Sequence, residues 1–497
     1  SDTFILIKNF LTITPFFSLL AAREEKRRKT FVLYEIKQYL CGIEMNISEL
    51  SISYIIQLMK FFDRKREIKK LREIRELSHD VAQFTVVTGR RRIGKTSLML
   101  KAYADEPVLY FFVSRKAESE LCVDFANEIE EKLNIPILGG TDRFSSIFEY
   151  IMKLSKTKSF TLIIDEFQEF IRVNKSVFSE MQRIWDLNKQ DSKINLLVCG
   201  SVNSLMNKLF KDSHEPLYGR QTLTLKVEPF PPSVLKEILN EYHPSYTKED
   251  LLSLYLYTGG VAKYIELLID SGATNYSKMI DRIIDNDSPF ITEGKNMLIE
   301  EFGKDYGIYF SILTLIAQGH NTRGDIEGIL KSEIGGYLTK LEKDYNLIIK
   351  NQPLFEKSSN KNVHYAIEDN FLRFWFRFVY KYNYMIEIGA FKKLREIIKR
   401  DYESYSGKIL EGYFKRKMIE SENYTRIGNW RDRKGENEID IIASDDLSKS
   451  VDFIEVKRQK SDIDLSILRS KAVSFFKTTG EYKKYEISYR GLAMDDM

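Results

Sequence analysis

The segment from Phe84 to Leu100, FTVVTGRRRIGKTSLML, joins a β-branched apolar run to an amphipathic stretch through a loop that reads GxxxxGK[ST]. Strand, glycine-bounded turn and helix in that order leave few folds open. Gly89 and Gly94 let the chain turn so tightly that successive N–H groups, and the N-terminus of the next helix, face an anion. The spacing predicts a phosphate-binding loop made of Gly89, Arg90, Arg91, Arg92, Ile93, Gly94, Lys95, Thr96 and Ser97. Lys95 is expected to reach the β- and γ-phosphates of a nucleotide, and Thr96 to hold Mg2+.

An acidic pair supplies the other half of such a site. In TLIIDEFQEF a run of apolar residues leads into Asp165 and Glu166, at the strand end where open parallel sheets bind ligands. Asp165 is expected to bind Mg2+ through its water shell, and Glu166 to polarise the attacking water. The run INLLVCGS ends in Ser201 with Asn203 close behind, which puts a polar group beside the γ-phosphate if its strand lies between those of Gly89 and Asp165. Arg220, in PLYGRQ, is placed either to reach a neighbouring subunit's phosphate as an arginine finger or to make a structural salt bridge. The arginines at 90–92 either balance the anionic guest or contact a partner. Asn188 to Asp191 reads NKQD, like a guanine-reading signature, but it follows the helical stretch EMQRIWDL rather than a strand. The geometry is wrong for guanine, which favours ATP.

A chain of 497 residues exceeds what one core serves, so several domains are expected. With 43% hydrophobic and 30% charged residues it is neither disordered nor membranous, and a net charge of +4 does not by itself imply nucleic acid. Cys41, Cys122 and Cys199 form no CxxC pair, which argues against structural zinc and disulfides and for a reducing cytoplasm. The apolar stretch from Asn9 to Ala22 is too short to span a bilayer, so no membrane partner is expected. Met59 stands directly before KFFDRKREIKKL, and residues 1–58 are expected to be an extension of unclear status.

Apolar runs at 108–114, 160–166, 194–201 and 223–230 alternate with helical patterns, which implies βαβ units and a parallel sheet within residues 59–232. Residues 233–300 read as wholly helical, the segment that would supply the helical lid implied by the resemblance given below. Over 301–370, three short helices and a hairpin suggest a winged helix. Its third helix mixes Lys340 and Lys343 with Glu342 and Asp344, so DNA reading and a packing role both stay open. A connector follows over 371–401, where FLRFWFRFVYKYNY is apolar nearly all round and predicts a buried helix.

In residues 402–497, period-two alternation places Glu455 and Lys457 on one face of VDFIEVK. Asp440, in NEIDIIA, can lie opposite them if SDDLSKS closes a hairpin. The arrangement suits Mg2+ held by Asp440 and Glu455, with Lys457 orienting a metal-activated water and Glu411 completing the site from the preceding helix. Arg431, Arg433, Lys434, Lys457 and Arg458 would form a basic rim suited to a DNA backbone.

Through GRRRIGKT, LIIDEFQ, CGSVNSLM, PLYGR and TGGVAKY, the region from Met59 to about Asp270 resembles the archaeal-type ATPases of the AAA+ and STAND-like P-loop proteins. The resemblance implies an α/β P-loop NTPase with a parallel five-stranded sheet of order 5-1-4-3-2, a helical lid, and ATP as nucleotide. The E…D…ExK residues, in the context IGNWRDRKGENEIDIIA…FIEVKRQ, resemble the PD-(D/E)xK nuclease superfamily and the C-terminal domain fused to such ATPases. That implies a restriction-endonuclease-like α/β domain. Two functions are expected from the whole. One is a Mg-dependent ATPase coupled to a DNA-associated, nuclease-like domain able to act as a Mg-dependent endonuclease. The other is a nucleotide-dependent switch that works through a protein partner or a second copy, with an inactive nuclease fold.

Overall fold

The computed structural model describes residues 61–136, 142–355, 363–432 and 435–497. The expected extension at 1–58, Arg433 and Lys434 lie outside the described residues, as does the side chain of Asn203. Helix α1 (Lys65–Leu77) leads into the first sheet, formed by β1 (Gln83–Thr88), β2 (Val108–Phe112), β3 (Phe160–Asp165), β4 (Ile194–Cys199) and β5 (Leu223–Lys226). Its order is β2-β3-β4-β1-β5, the expected arrangement counted from the opposite edge. All of its pairings are parallel.

Parallel strands need crossovers, and helices α2 (Lys95–Ala102), α3 (Glu118–Leu133), α4 (Phe144–Leu154), α5 (Ser176–Asn188) and α6 (Asn203–Lys211) supply them. Every residue of β3 and β4 is buried, which is why both read as unbroken apolar runs rather than as alternating ones. Phe84, Phe111, Phe125, Phe148, Phe167, Trp185 and Phe210 fill the core, with Phe111 stacked on Phe125 at 4.3 Å. The register pairs Val87 with Cys199 and Ile164 with Val198. Gly89, Gly200 and Glu166 therefore leave the same edge of the sheet.

Helices α7 (Pro232–Tyr242), α8 (Lys248–Thr258), α9 (Ala262–Asp270), α10 (Tyr276–Ile283) and α11 (Pro289–Phe302) follow. A reciprocal capping box of Thr247 and Asp250 starts α8, and Gly259 ends it in the left-handed region. Leu251, Leu252, Leu254, Tyr255, Leu256 and Tyr257 are all buried, so this helix is apolar on every side and must lie inside. Its neighbours come from far along the chain. Tyr257 meets Phe374 at 4.9 Å, Tyr255 meets Tyr413 at 5.5 Å, and the Ser253 and Tyr402 hydroxyls are hydrogen-bonded at 2.7 Å.

Three helices, α12 (Tyr306–Gln318), α13 (Arg323–Leu330) and α14 (Gly335–Lys343), precede the antiparallel pair β6 (Ile348–Asn351) and β7 (His364–Ile367). The aromatic stretch after them is largely buried over 371–379, as expected, but Tyr380, Lys381, Asn383 and Tyr384 are exposed, and it is not one regular helix. An α-helical turn, Asn370–Phe374, widens into a π-helical segment, Trp375–Tyr380. Trp375 lies so close on Gly294 that a Cβ there would meet its ring at 2.3 Å, and its Nε1 donates to the Ile291 carbonyl at 2.8 Å.

The long helix α15 (Phe391–Ser421) leads into β8 (Arg426–Arg431), β9 (Glu438–Asp445), β10 (Ser450–Val456) and β11 (Glu486–Leu492), with α16 (Leu465–Thr478) before the last strand. This sheet has the order β11-β10-β9-β8 and is mixed: β9 and β10 form the expected hairpin, with Ile441 opposite Ile454, while β10 and β11 run parallel. Trp430, Phe453, Leu468 and Phe475 form its core. Among the described residues no helix is long and apolar enough to cross a membrane.

Candidate functional site

The loop after β1 turns through two glycines with positive φ, Gly89 at 145° and Gly94 at 93°. Gly89 is required twice over, because a Cβ there would also meet the Val227 carbonyl oxygen at 2.6 Å. Gly94 caps α2, whose first residue is Lys95. The Lys95 ammonium is buried inside the loop and donates to the carbonyls of Gly89 at 2.9 Å and Arg90 at 3.0 Å. Burial pulls its pKa below the ordinary lysine value, against the opposing pull of Cys199, Glu166 and Asp165. An ammonium held only by carbonyls can exchange them for phosphate oxygens.

Thr96, on the next position of α2, donates its hydroxyl to Asp165 Oδ2 at 2.6 Å. The two expected metal-site residues therefore meet across the gap between β1 and β3. A hydroxyl and a carboxylate are hard oxygen donors and fit Mg2+, which typically uses one or two protein oxygens and completes its shell with phosphate and water. Among the described residues no group of three or more His, Cys, Asp or Glu is placed to hold a metal ion.

Glu166 sits in the left-handed region at φ 52°, a strained conformation for a residue with a side chain. Its Oε2 accepts from Ser201 at 2.8 Å and from Gln168 Nε2 at 2.6 Å. Because β4 lies between β1 and β3, Ser201 emerges beside the loop as the sequence reading required. Gln168 closes the LIIDEFQ stretch, but nothing in the sequence marks it for a role. Its place is shaped by Gly200, where a Cβ would meet Gln168 Oε1 at 2.1 Å.

The loop arginines contact this same chain. Arg90 pairs with Asp369, Arg91 with Glu300, and Arg92 with Glu293 at 2.9 Å. Arg90 also donates to the Tyr264 hydroxyl at 3.3 Å and lies over the rings of Tyr264 and Phe371. Tyr264 in turn donates to Glu293 at 2.9 Å. What the loop presents to phosphate is its backbone, with Ile93 buried beneath it and Ser97 half-buried in the first turn of α2. Arg220 pairs with Asp186 at 3.0 Å, the structural alternative weighed for it. Asn188 ends α5 and donates to the Ile184 carbonyl, so NKQD lies at a helix end.

In the C-terminal domain the Val456 N–H donates to Asp440 Oδ2 at 2.8 Å, which brings Asp440 beside the Glu455 strand. Glu455 is buried and bridged by two lysines, Lys457 at 2.8 Å and Lys471 at 3.0 Å. Lys471, on α16, was invisible in the sequence because nothing local links it to the ExK strand. On α15, burial and the neighbouring Asp440 push Glu411 up to about 7, and burial lowers Lys415 beside it. Burial chiefly, with Glu455 adding, also raises Asp440. The expected Glu411, Asp440, Glu455 and Lys457 gather here, in a mixed cluster of carboxylates and lysines.

Residues 61–268 match a family described as an ATPase domain predominantly from Archaea. Residues 375–471 match a family of archaeal and bacterial proteins of unknown function. An uncharacterized protein of Methanocaldococcus jannaschii, MJECL04, is 30% identical over 438 residues, which is 86% of this chain and 94% of that one. A second uncharacterized protein of that organism, MJ0424, is 33% identical over 66 residues, covering 13% of this chain and 64% of its own. Among solved structures, the Walker-type ATPase paby2304 of Pyrococcus abyssi superposes with a TM-score of 0.51 at 20% identity, over 64% of this chain and 96% of that one.

Proposed function

Since the chain belongs to the family of the Methanocaldococcus protein MJECL04 and carries an archaeal-type ATPase domain, we propose that residues 59–232 hydrolyse ATP with Mg2+ and that this cycle governs the C-terminal half. One observation carries the reading: the Thr96 hydroxyl lies 2.6 Å from the Asp165 carboxylate, between the Lys95 loop and a Glu166 already oriented by Ser201. Bound Mg2+ would neutralise phosphate charge. The backbone of Gly89–Thr96 and Lys95 hold the phosphates, Glu166 takes a proton from the attacking water, and Ser201 fixes the glutamate. Exchanging Glu166 for glutamine keeps the hydrogen bonds but removes the base. Hydrolysis is expected to fall about a hundredfold while ATP binding stays within about threefold. A Glu166→Gln enzyme turning over at the wild-type rate would remove the assignment.

For the remainder, the helical lid (233–300) and a winged helix (301–370) would connect the engine to a nuclease-like domain (402–497) that touches DNA. Asp440, Glu455, Lys457 and Glu411 are its reacting cluster in this reading. Supercoiled and branched DNA incubated with Mg2+ and ATP should be cut by the wild type, and spared by Asp440→Ala. A second reading, a nucleotide switch acting through protein contacts with an inactive nuclease fold, is favoured by the two lysines on Glu455. DNA neither bound nor cut by the wild type would decide for the switch.

A further inference from the structure

The Asp165 carboxylate accepts four hydrogen bonds, two on each oxygen. On Oδ1 the donors are the Glu166 N–H and the Cys199 thiol, both at 2.8 Å. On Oδ2 they are the Thr96 hydroxyl at 2.6 Å and the Tyr110 hydroxyl at 2.9 Å. Four is about the number of acceptor sites that an ionised carboxylate offers, so this one is filled. Two of the donors belong to the site already described. The other two come from the strands on either side of β3: Tyr110 from β2, opposite Ile163, and Cys199 from the end of β4.

We infer that Tyr110 and Cys199 are positioning residues, which hold the plane of the Asp165 carboxylate while Thr96 exchanges its bond for the Mg2+–nucleotide complex. This rests on the ATP reading above. The end torsion of an aspartate is broad and has no sharp minimum of its own, so the carboxylate's orientation must come from donors around it. When the Thr96 hydroxyl turns away, one acceptor position on Oδ2 is released. Tyr110 occupies the other, and Cys199 with the Glu166 N–H keeps Oδ1 fixed. Tyr110 lies in no motif and Cys199 only opens the CGSVNSLM stretch, and each reaches the site only because the sheet order brings β2 and β4 against β3.

The test uses the full chain with Tyr110→Phe, Cys199→Ser and Cys199→Ala. Binding of a fluorescent ATP analogue is titrated in EDTA and again in Mg2+, and the Mg2+ concentration giving half-maximal hydrolysis is measured separately. Tyr110→Phe is expected to bind the analogue in EDTA like the wild type, but to lose about fivefold of the tightening that Mg2+ brings and to need about fivefold more Mg2+ for turnover. Cys199→Ser, which keeps a donor, should match the wild type, while Cys199→Ala should move about twofold in the direction of Tyr110→Phe. If Tyr110→Phe does not fold, the serine and alanine pair at 199 decides alone. Unchanged Mg2+ dependence in Tyr110→Phe and Cys199→Ala overturns the inference and leaves the ATP reading intact. A wild type that binds no analogue under either condition overturns both.

Discussion

Alanine in place of Lys95 is expected to lower ATP hydrolysis by about a thousandfold and to weaken nucleotide binding at least about tenfold. The ammonium sits within the loop, bonded to the carbonyls of Gly89 and Arg90, so its charge is delivered with almost no reorganisation when phosphate enters. Neighbouring guanidinium groups do not replace it, because Arg90, Arg91 and Arg92 are each paired with a carboxylate elsewhere in the chain. Truncation also leaves two loop carbonyls without this donor, so the loop is less well formed before nucleotide arrives. Steady-state phosphate release and a calorimetric titration measure the two effects. Retention of more than about a tenth of the wild-type rate would mean that the backbone alone carries the phosphates.

The largest expected effect on stability is at Asp369. Its carboxylate pairs with Arg90, and both side chains are largely buried, at 13% and 16% exposure. Asparagine keeps the second task of this residue, since Asp369 Oδ1 caps the next helical turn by accepting from the Leu372 N–H at 2.8 Å, and asparagine caps as well as aspartate. Asp369→Asn thus isolates the charge pair. It strands a desolvated guanidinium, which typically costs about 3–5 kcal/mol, and the ring faces of Tyr264 and Phe371 place the value near about 3 kcal/mol. Asp369→Ala adds about 1 kcal/mol for the lost cap. Removing both charges with Arg90→Met and Asp369→Leu should recover a large part of the loss. Urea denaturation checks the series, and a decrease under about 1 kcal/mol for Asp369→Asn would mean that water reaches the pair.

The parallel sheet and the geometry of its loop were legible because each rests on local pattern, whereas the strand order came only as what the family resemblance implies. Apolar runs end in Gly89, Asp165 and Gly200, and these ends converge once the strands are ordered. Contacts set by tertiary pairing were not legible. Tyr110 lies in the apolar-looking run VLYFFVS, Gln168 is one polar residue in DEFQEF, and Lys471 is a lysine on an ordinary amphipathic helix. No periodicity distinguishes any of the three from a solvated or packing residue. The arginine triplet illustrates the same limit. Its charge left an anionic guest and a partner both open, but the carboxylates it meets lie more than two hundred positions along the chain, as the Arg91–Glu300 separation of 209 residues shows. In the connector, apolar residues nearly all round foretold the burial over 371–379, but not the exposure of Tyr380 and Tyr384 nor where the helix widens over Gly294.

The three tethers from the phosphate loop end on two different pieces of scaffold, α11 and the turn that follows β7. A strap anchored in this way cannot change shape around its guest without loading those anchorages, and the influence runs both ways with equal strength. If a partner held by the distal half displaced Glu293 or Asp369, its grip and the hold on nucleotide would have to change each other by the same factor.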